Sequence, residues 1–191
     1  MENPVIAFLS ARRSVKPDRL VAPAPSPAEL ETILTIASRV PDHKKLAPWR
    51  FIVLEGEARA RLGETVAEAC VAAEKEPPSH VRLETERTRL SRAPLVIAVV
   101  SRVTVHRSAP EWEQVLSAGA ACLNLCLAAN ALGYGTSWIT EWIAYNKAVG
   151  TALGLGDNER IAGFIYIGTP AERPEERERP ALADIVTRWP G

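Results

Sequence analysis

Cysteine and histidine are scarce in this 191-residue chain: Cys70, Cys122 and Cys126, with His43, His80 and His106. The scarcity leaves no Cys-x-x-Cys pair, no close histidine pair for a metal and no ready hydrolytic triad. Cys122 and Cys126 fall four apart in an apolar run, the place of small buried hydrophobes, and such use of cysteine fits a reducing cytoplasm. The glycine signatures of nucleotide loops are also missing. Gly133-Tyr134-Gly135 precedes a strand instead of following one, Gly154-Leu155-Gly156 fails in the same way, and there is neither a P-loop nor a G-x-S-x-G turn. No charge sign is in excess, since 23 basic side chains meet 23 acidic ones, so a dedicated nucleic-acid surface is not expected. The N-terminus lacks a basic region ahead of a long apolar run, so no signal peptide is expected.

One long hydrophobic stretch is present, Val115 to Leu132, without a single charge. Ser108 and Glu111 have capping-box spacing and Gly133 suits a helix exit, so a helix is predicted from about Ala109 to Leu132. Its length is near the minimum for a membrane span, but Ser117, Gly119, Asn124 and Asn130 dilute it, so no membrane is expected. A helix apolar on nearly every side must be buried on nearly every side, and a chain this short cannot easily wrap it alone. Further helices are predicted after the caps Asn3-Pro4 and Ser26-Pro27-Ala28-Glu29, over Ala58–Glu74, over Ser79–Arg92 as a charged, solvated helix, and over Asn146–Leu153. Strands are predicted at Arg50–Glu55, Pro94–Val103, Gly135–Trp142 and Ile161–Gly168; the second is β-branched throughout, the look of a central strand. The pattern gives a single α+β domain over residues 1–191, a small mixed sheet flanked by helices. Residues 171–191 form a charged loop and then an apolar segment that is expected to pack on a partner subunit.

Chemistry is concentrated in three places. Arg12-Arg13-Ser14 offers two guanidinium forks and a hydroxyl, which suit a phosphate but equally suit the end of a helix dipole. Arg39 and Pro41-Asp42-His43-Lys44-Lys45 bring donors together where a helix ends, and they also read as a plain solvated loop. Trp138 could line a planar cofactor or simply fill core.

Together, Arg12-Arg13-Ser14, the segment PDHKKLAPWRFIVLEG, a long alanine-rich helix ending ALGYGTSWI, and FIYIGTP resemble the FMN-dependent nitroreductase family. The likeness runs from about residue 5 to 170 and is greatest to small bacterial members with a PDHK-type loop. It implies an intertwined homodimer with FMN at the subunit interface, and NADH or NADPH as hydride donor. It implies that Arg12, Arg13 and Ser14 hold the phosphate and nearby flavin edge, that Arg39 and His43 reach the same flavin from the partner, and that Trp138, Ile139 and Thr140 face the ring. The common family loop reads like PSSFNSQPW; here Lys45 and Ala47 replace its asparagine and glutamine, so those two contacts do not transfer. The implied activity is ping-pong transfer of a hydride from nicotinamide to flavin N5 and on to a small-molecule acceptor such as a nitroaromatic or quinone. The rival readings are a non-catalytic FMN storage or sensor protein and a helical dimer without cofactor.

Overall fold

The computed structural model describes residues 3–189; positions 1, 2, 190 and 191, the last two in the segment expected to pack on a partner, lie outside the described residues. Its centre is strand β3 (Leu95–Arg102), buried along seven of its eight residues. β2 (Trp49–Glu55) lies on one side of it and β5 (Glu159–Pro170) on the other. β4 (Gly135–Ile139) and the two-residue β1 (Leu20–Val21) pair with β5.

All these pairings are antiparallel, so the sheet is not the mixed one expected. Two features of the connections explain it. Between β2 and β3 the chain makes a double excursion through α3 (Glu57–Ala73) and α4 (His80–Arg87), which returns it to the end it left, Glu55 beside Leu95. Between β3 and β4 runs a single helix, α5 (Glu111–Ala131), so those two strands point the same way. β5 inserts between them and keeps them from pairing.

Period-two alternation gives the sheet two apolar faces. Leu95, Ile97 and Val99 pack with Ile165 and Ile167 under α5 and α2 (Pro27–Ala37). Val96, Ala98 and Val100 pack with Phe164 and Tyr166 under α3 and its neighbours. Burial of this kind contributes about 25 cal/mol per Å² of apolar surface.

Helix starts follow local chemistry where a side chain can reach the free amides. Asn3 accepts from the backbone of Val5 and Ile6 at the head of α1 (Pro4–Ala11). At α2 the Ser26 hydroxyl accepts from Glu29 N while Ser26 N donates back to Glu29 Oε2 at 2.8 Å, a complete capping box. Asn146 caps the short α6 (Lys147–Ala152).

The start predicted for the long helix is different. Pro110, not Ser108, is its N-cap, and no side chain caps it. Gln114 takes over that turn instead, donating to the carbonyls of Thr104 and Ala109 and accepting from Thr104 N. The exit is as predicted, with Gly133 at φ 90°. A second difference concerns the charged segment 79–92. It holds α4 and a 3₁₀ turn (Arg89–Arg92), and it is not solvated throughout: Glu86 is fully buried and Arg89 nearly so. β4 stops at Ile139 and does not run on to Trp142.

The helix long enough to span a membrane, α5, is a core helix, lying against α2, β3, β4 and β5. One side of it stays open: Trp112, Leu116 and Leu123 are exposed, with Gly119 and Ala120 half-buried between them. The last short helix, α7 (Leu182–Ile185), and Trp189 expose their apolar groups as well.

Candidate functional site

Arg12 leaves α1 in extended conformation, φ −63° and ψ 129°, so the arginine motif lies beyond the helix and not within its last turn. The segment is tied to the sheet because Val15 N donates to Thr136 O of β4 at 2.9 Å. Arg12 and Arg13 line a cleft of about 230 Å³ together with Asn130, Tyr134 and Arg173. Two polar atoms at this cleft are buried without a hydrogen-bond partner among the described residues, Arg13 Nε and Asn130 Oδ1. Such atoms are uncommon in native proteins and mark places where a further group completes the bonding. The carboxylate of Glu176, itself mostly exposed, lies 3.5 Å from Arg13 Nη1. Ser14 is next door, in a cleft of about 420 Å³ that Arg13, Lys16 and Arg19 share with Glu172, Glu175 and Glu176.

The second constellation is built from Asp42. Its carboxylate accepts from Leu46 N at 2.9 Å and Ala47 N at 2.8 Å, closing a loop in which Lys44, Lys45 and Ala47 all have positive φ. Arg102 Nε donates to Ala47 O, Ser117 Oγ donates to Pro41 O, and Trp49 Nε1 donates to Ser117 Oγ. The loop is therefore pinned to the first half of α5. His43 Nδ1 lies 2.7 Å from Glu113 Oε2, both half exposed. Arg39 is held by its carbonyl, which accepts from Asn124 Nδ2 at 3.0 Å, while its exposed side chain makes no ion pair among the described residues.

His43 and the arginine cleft do not meet within one chain. His43 sits at Glu113, near the start of α5, and the arginine cleft includes Asn130, near its end. At 1.5 Å per residue those positions are about 25 Å apart.

Trp138 lies between them, on the face of the sheet covered by α5. Its indole nitrogen donates to Ala162 O at 3.2 Å, and its far ring edge stands 4.0 Å from where a Cβ at Gly119 would be. The ring crosses directly over Gly163, where a Cβ would come within 2.1 Å of the indole nitrogen. Trp138 remains 41% exposed, so it is a half-open wall and not simple core. Ile139 points the other way, into the cluster with Phe164 and Ile143, which leaves its backbone as the part available on the strand. Thr140 is half-buried just past the strand end. Then comes Glu141, at φ 54°, with its carboxylate on Arg89 and Arg92.

Neither cysteine of the long helix is a reactive thiolate. Burial, only partly offset by the Thr136 hydroxyl and Arg12, pushes Cys126 up to about 11, and burial also pushes Cys122 up. No cluster of metal-ligating side chains exists among the described residues.

Three participants were missed from sequence. Arg173 belongs to a segment that reads as solvated charge, Asn130 to a helix that reads as packing, and Glu141 to a longer strand. The one available signal for Arg173 is its place just past the end of a buried strand, within reach of whatever that strand carries.

A sequence model of the nitroreductase family matches residues 9–169. The Escherichia coli (strain K12) protein named "Putative NAD(P)H nitroreductase YdjA" is 36% identical over 165 residues, 86% of this chain and 87% of its own length. A Haemophilus influenzae protein named "Putative NAD(P)H nitroreductase" is 38% identical over 176 residues, 91% of this chain and 92% of its own. Among solved structures, a nitroreductase in complex with FMN from Desulfovibrio desulfuricans has a TM-score of 0.74 and 25% identity, covering 100% of this chain and 99% of that one. With the family pattern matched from the end of α1 through β5, the chain belongs to the nitroreductase family.

Proposed function

We propose that this protein is an FMN-dependent NAD(P)H oxidoreductase working as a cytoplasmic homodimer. The observation that carries the reading is the arginine cleft, where Arg12, Arg13 and Arg173 surround two unpartnered buried polar atoms beside the strand that bears Trp138. The residues fit the phosphate end of FMN. Arginine forks match phosphate oxygens in pairs, and a dianion offsets the repulsion among three guanidinium groups of which Glu176 meets only Arg13. Arg12, Arg13 and Ser14 would hold the phosphate and nearby edge, with Arg173 added to them.

FMN, when bound, would supply the two-electron chemistry that links NADH or NADPH to a nitroaromatic, quinone or similar acceptor, by way of hydride transfer at its N5. The chain's own share is to bind, orient and tune. Trp138 gives an aromatic wall, and the backbone from Trp138 to Thr140 gives polar groups along the ring. The partner's Arg39 and the partner's His43 would close the site; within one chain His43 stands at the far end of α5 from the arginine cleft. A cationic side chain near the pyrimidine edge favours the reduced, anionic flavin and so raises its potential. In this reading donor and acceptor use one face of the ring in turn, which gives ping-pong kinetics.

The open stripe of Trp112, Leu116, Gly119, Ala120 and Leu123 supplies the dimer contact, and residues 171–191 reach over the partner with their apolar groups. The test is direct. Purified protein is reconstituted with FMN, bleached anaerobically with NADH or NADPH, and reoxidised with a nitroaromatic or a quinone. Bleaching and reoxidation are expected, with parallel lines in double-reciprocal plots. Tight FMN binding without bleaching by either nucleotide would instead establish a storage or sensor protein, and no FMN binding would leave a purely structural dimer.

A further inference from the structure

Glu141 has φ 54° and ψ −179°, a combination that essentially glycine alone visits without cost. A residue with a side chain stays there only where its surroundings over-determine the conformation. Here the surroundings are two guanidinium groups, one for each carboxylate oxygen: Arg89 Nη1 at 2.7 Å from Oε1 and Arg92 Nη2 at 2.8 Å from Oε2.

Both arginines are themselves fixed. Arg89 forks onto Glu86 at 2.5 and 2.6 Å, and the fully buried Glu86 also takes Trp142 Nε1 and Arg82 at 3.0 Å each. Burial pushes the Glu86 carboxyl up, but the Arg89 fork, Trp142 and Arg82 more than reverse this, so it stays ionised. Arg92 donates to Arg89 O at 2.8 Å and to the Tyr166 hydroxyl at 3.2 Å, with its guanidinium 5.1 Å from the Tyr166 ring centre. Tyr166 is buried in β5, beside Ser137 of β4. The frame thus runs from α4 to the strand that neighbours the site, and Glu141 is where it grips the exit of β4.

Stability alone does not account for such a frame. Buried ion networks lose much of their attraction to desolvation, and well-packed apolar groups often serve as well. What the network adds is a fixed orientation. Rotation about φ of Glu141 swings the peptide between Thr140 and Glu141, turning the Thr140 carbonyl and the Glu141 N–H together.

We infer that Glu141 is a positioning residue for the cofactor ring: the clamp of Arg89 and Arg92 on its carboxylate holds the backbone turn that sets where Trp138 to Thr140 stand. This rests on the flavin reading above. Two roles of the side chain are separable, since a glycine accepts the turn without a clamp and an alanine does not.

Glu141→Ala, Glu141→Gly and Glu141→Gln are titrated with FMN, following quenching of flavin fluorescence, with the melting temperature of each apoprotein measured alongside. Glu141→Ala is expected to weaken FMN binding about tenfold or more, and Glu141→Gly to bind at least about fivefold more tightly than Glu141→Ala although both lack the carboxylate. Glu141→Gln, which keeps an acceptor for one arginine, is expected to lie nearer the wild type than Glu141→Ala does. A role limited to neutralising two arginines makes the alanine and glycine variants equally poor, and that result overturns the proposal, as does unchanged binding in Glu141→Ala. If Glu141→Ala does not fold, Arg92→Lys, which keeps the charge but loses the fork, gives the same readout: weaker FMN binding supports the clamp and unchanged binding overturns it. Wild-type protein that binds no FMN overturns the flavin reading before any variant is compared, and the positioning role falls with it.

Discussion

Gly163 has no room for a methyl group, because the Trp138 indole occupies the space where its Cβ would be. Gly163→Ala must therefore push the ring off β5, at an overpacking cost of about 1–3 kcal/mol. A lower melting temperature is expected with weaker FMN binding; equal stability and binding would mean that the ring moves freely and is no wall. Arg12 makes the complementary case for charge. Arg12→Ala is expected to weaken FMN retention about 10- to 100-fold, the worth of a charge-assisted hydrogen bond, as read by equilibrium dialysis. Unchanged retention would break the phosphate assignment. At this scale the sequence leaves a residue's setting open wherever its type has several uses. Arg12, Arg13 and Ser14 read equally as a phosphate site or as the end of a helix dipole, and the structure sets them beyond the last turn of α1, lining adjoining clefts by the sheet. An i,i+3 Glu–Arg pair looks the same on a wet surface as in a core, so the buried Glu86–Arg89 pair reads as solvent-facing charge. Ile139 is a case of direction: the strand is evident, but which side each residue faces depends on the partner strand.

Among the elements, β2 and β5 are joined across β3 by one side-chain clasp. Arg50 Nε and Nη2 meet the Glu159 carboxylate at 2.6 and 2.7 Å, and Gly156 N donates to it as well. The Arg50 fork, partly opposed by burial, brings Glu159 down from 4.5 to about 2. A carboxyl lowered in the folded state contributes stability that is fully present above its unfolded value and lost as pH falls through the folded one. Glu159→Gln is accordingly expected to lose about 2 kcal/mol at neutral pH. It should also show a shallower fall in stability between pH 4.5 and 2 than the wild type, measured by urea unfolding at stepped pH. An equally steep fall would place the acid sensitivity elsewhere. Element boundaries were legible where a cap is local, as at Asn3, Ser26 and Asn146, because the signal and the helix share four residues. Ser108 does not cap its helix: the N-cap falls two residues later at Pro110 without a side-chain bond, and Gln114, six residues on from Ser108, ties the preceding turn through the carbonyls of Thr104 and Ala109. Just past the early end of β4, Glu141 is held by Arg89 and Arg92, some fifty positions upstream, and no window along the chain contains both.

For the whole molecule, the open side of α5 decides how many chains make one functional unit. Leu116→Glu with Leu123→Glu puts two like charges in the stripe without touching the buried side of the helix. The variant is expected to elute as a monomer by size-exclusion chromatography and to lose FMN, since the proposed site draws on two chains. A monomer that keeps full FMN affinity would refute the shared site. The α+β class and the long helix were visible in composition and periodicity, but the strand order was not, because pairing between distant segments leaves no local trace.

That order sets a timetable. β4 is hydrogen-bonded along its length to β5, which follows it in the chain at Glu159–Pro170. During synthesis β4 emerges before its neighbour, and Trp138 before the backbone it lies on. A nascent chain that stops short of β5 therefore lacks the strand that seats Trp138, and the aromatic wall of the proposed site forms only once both strands are out.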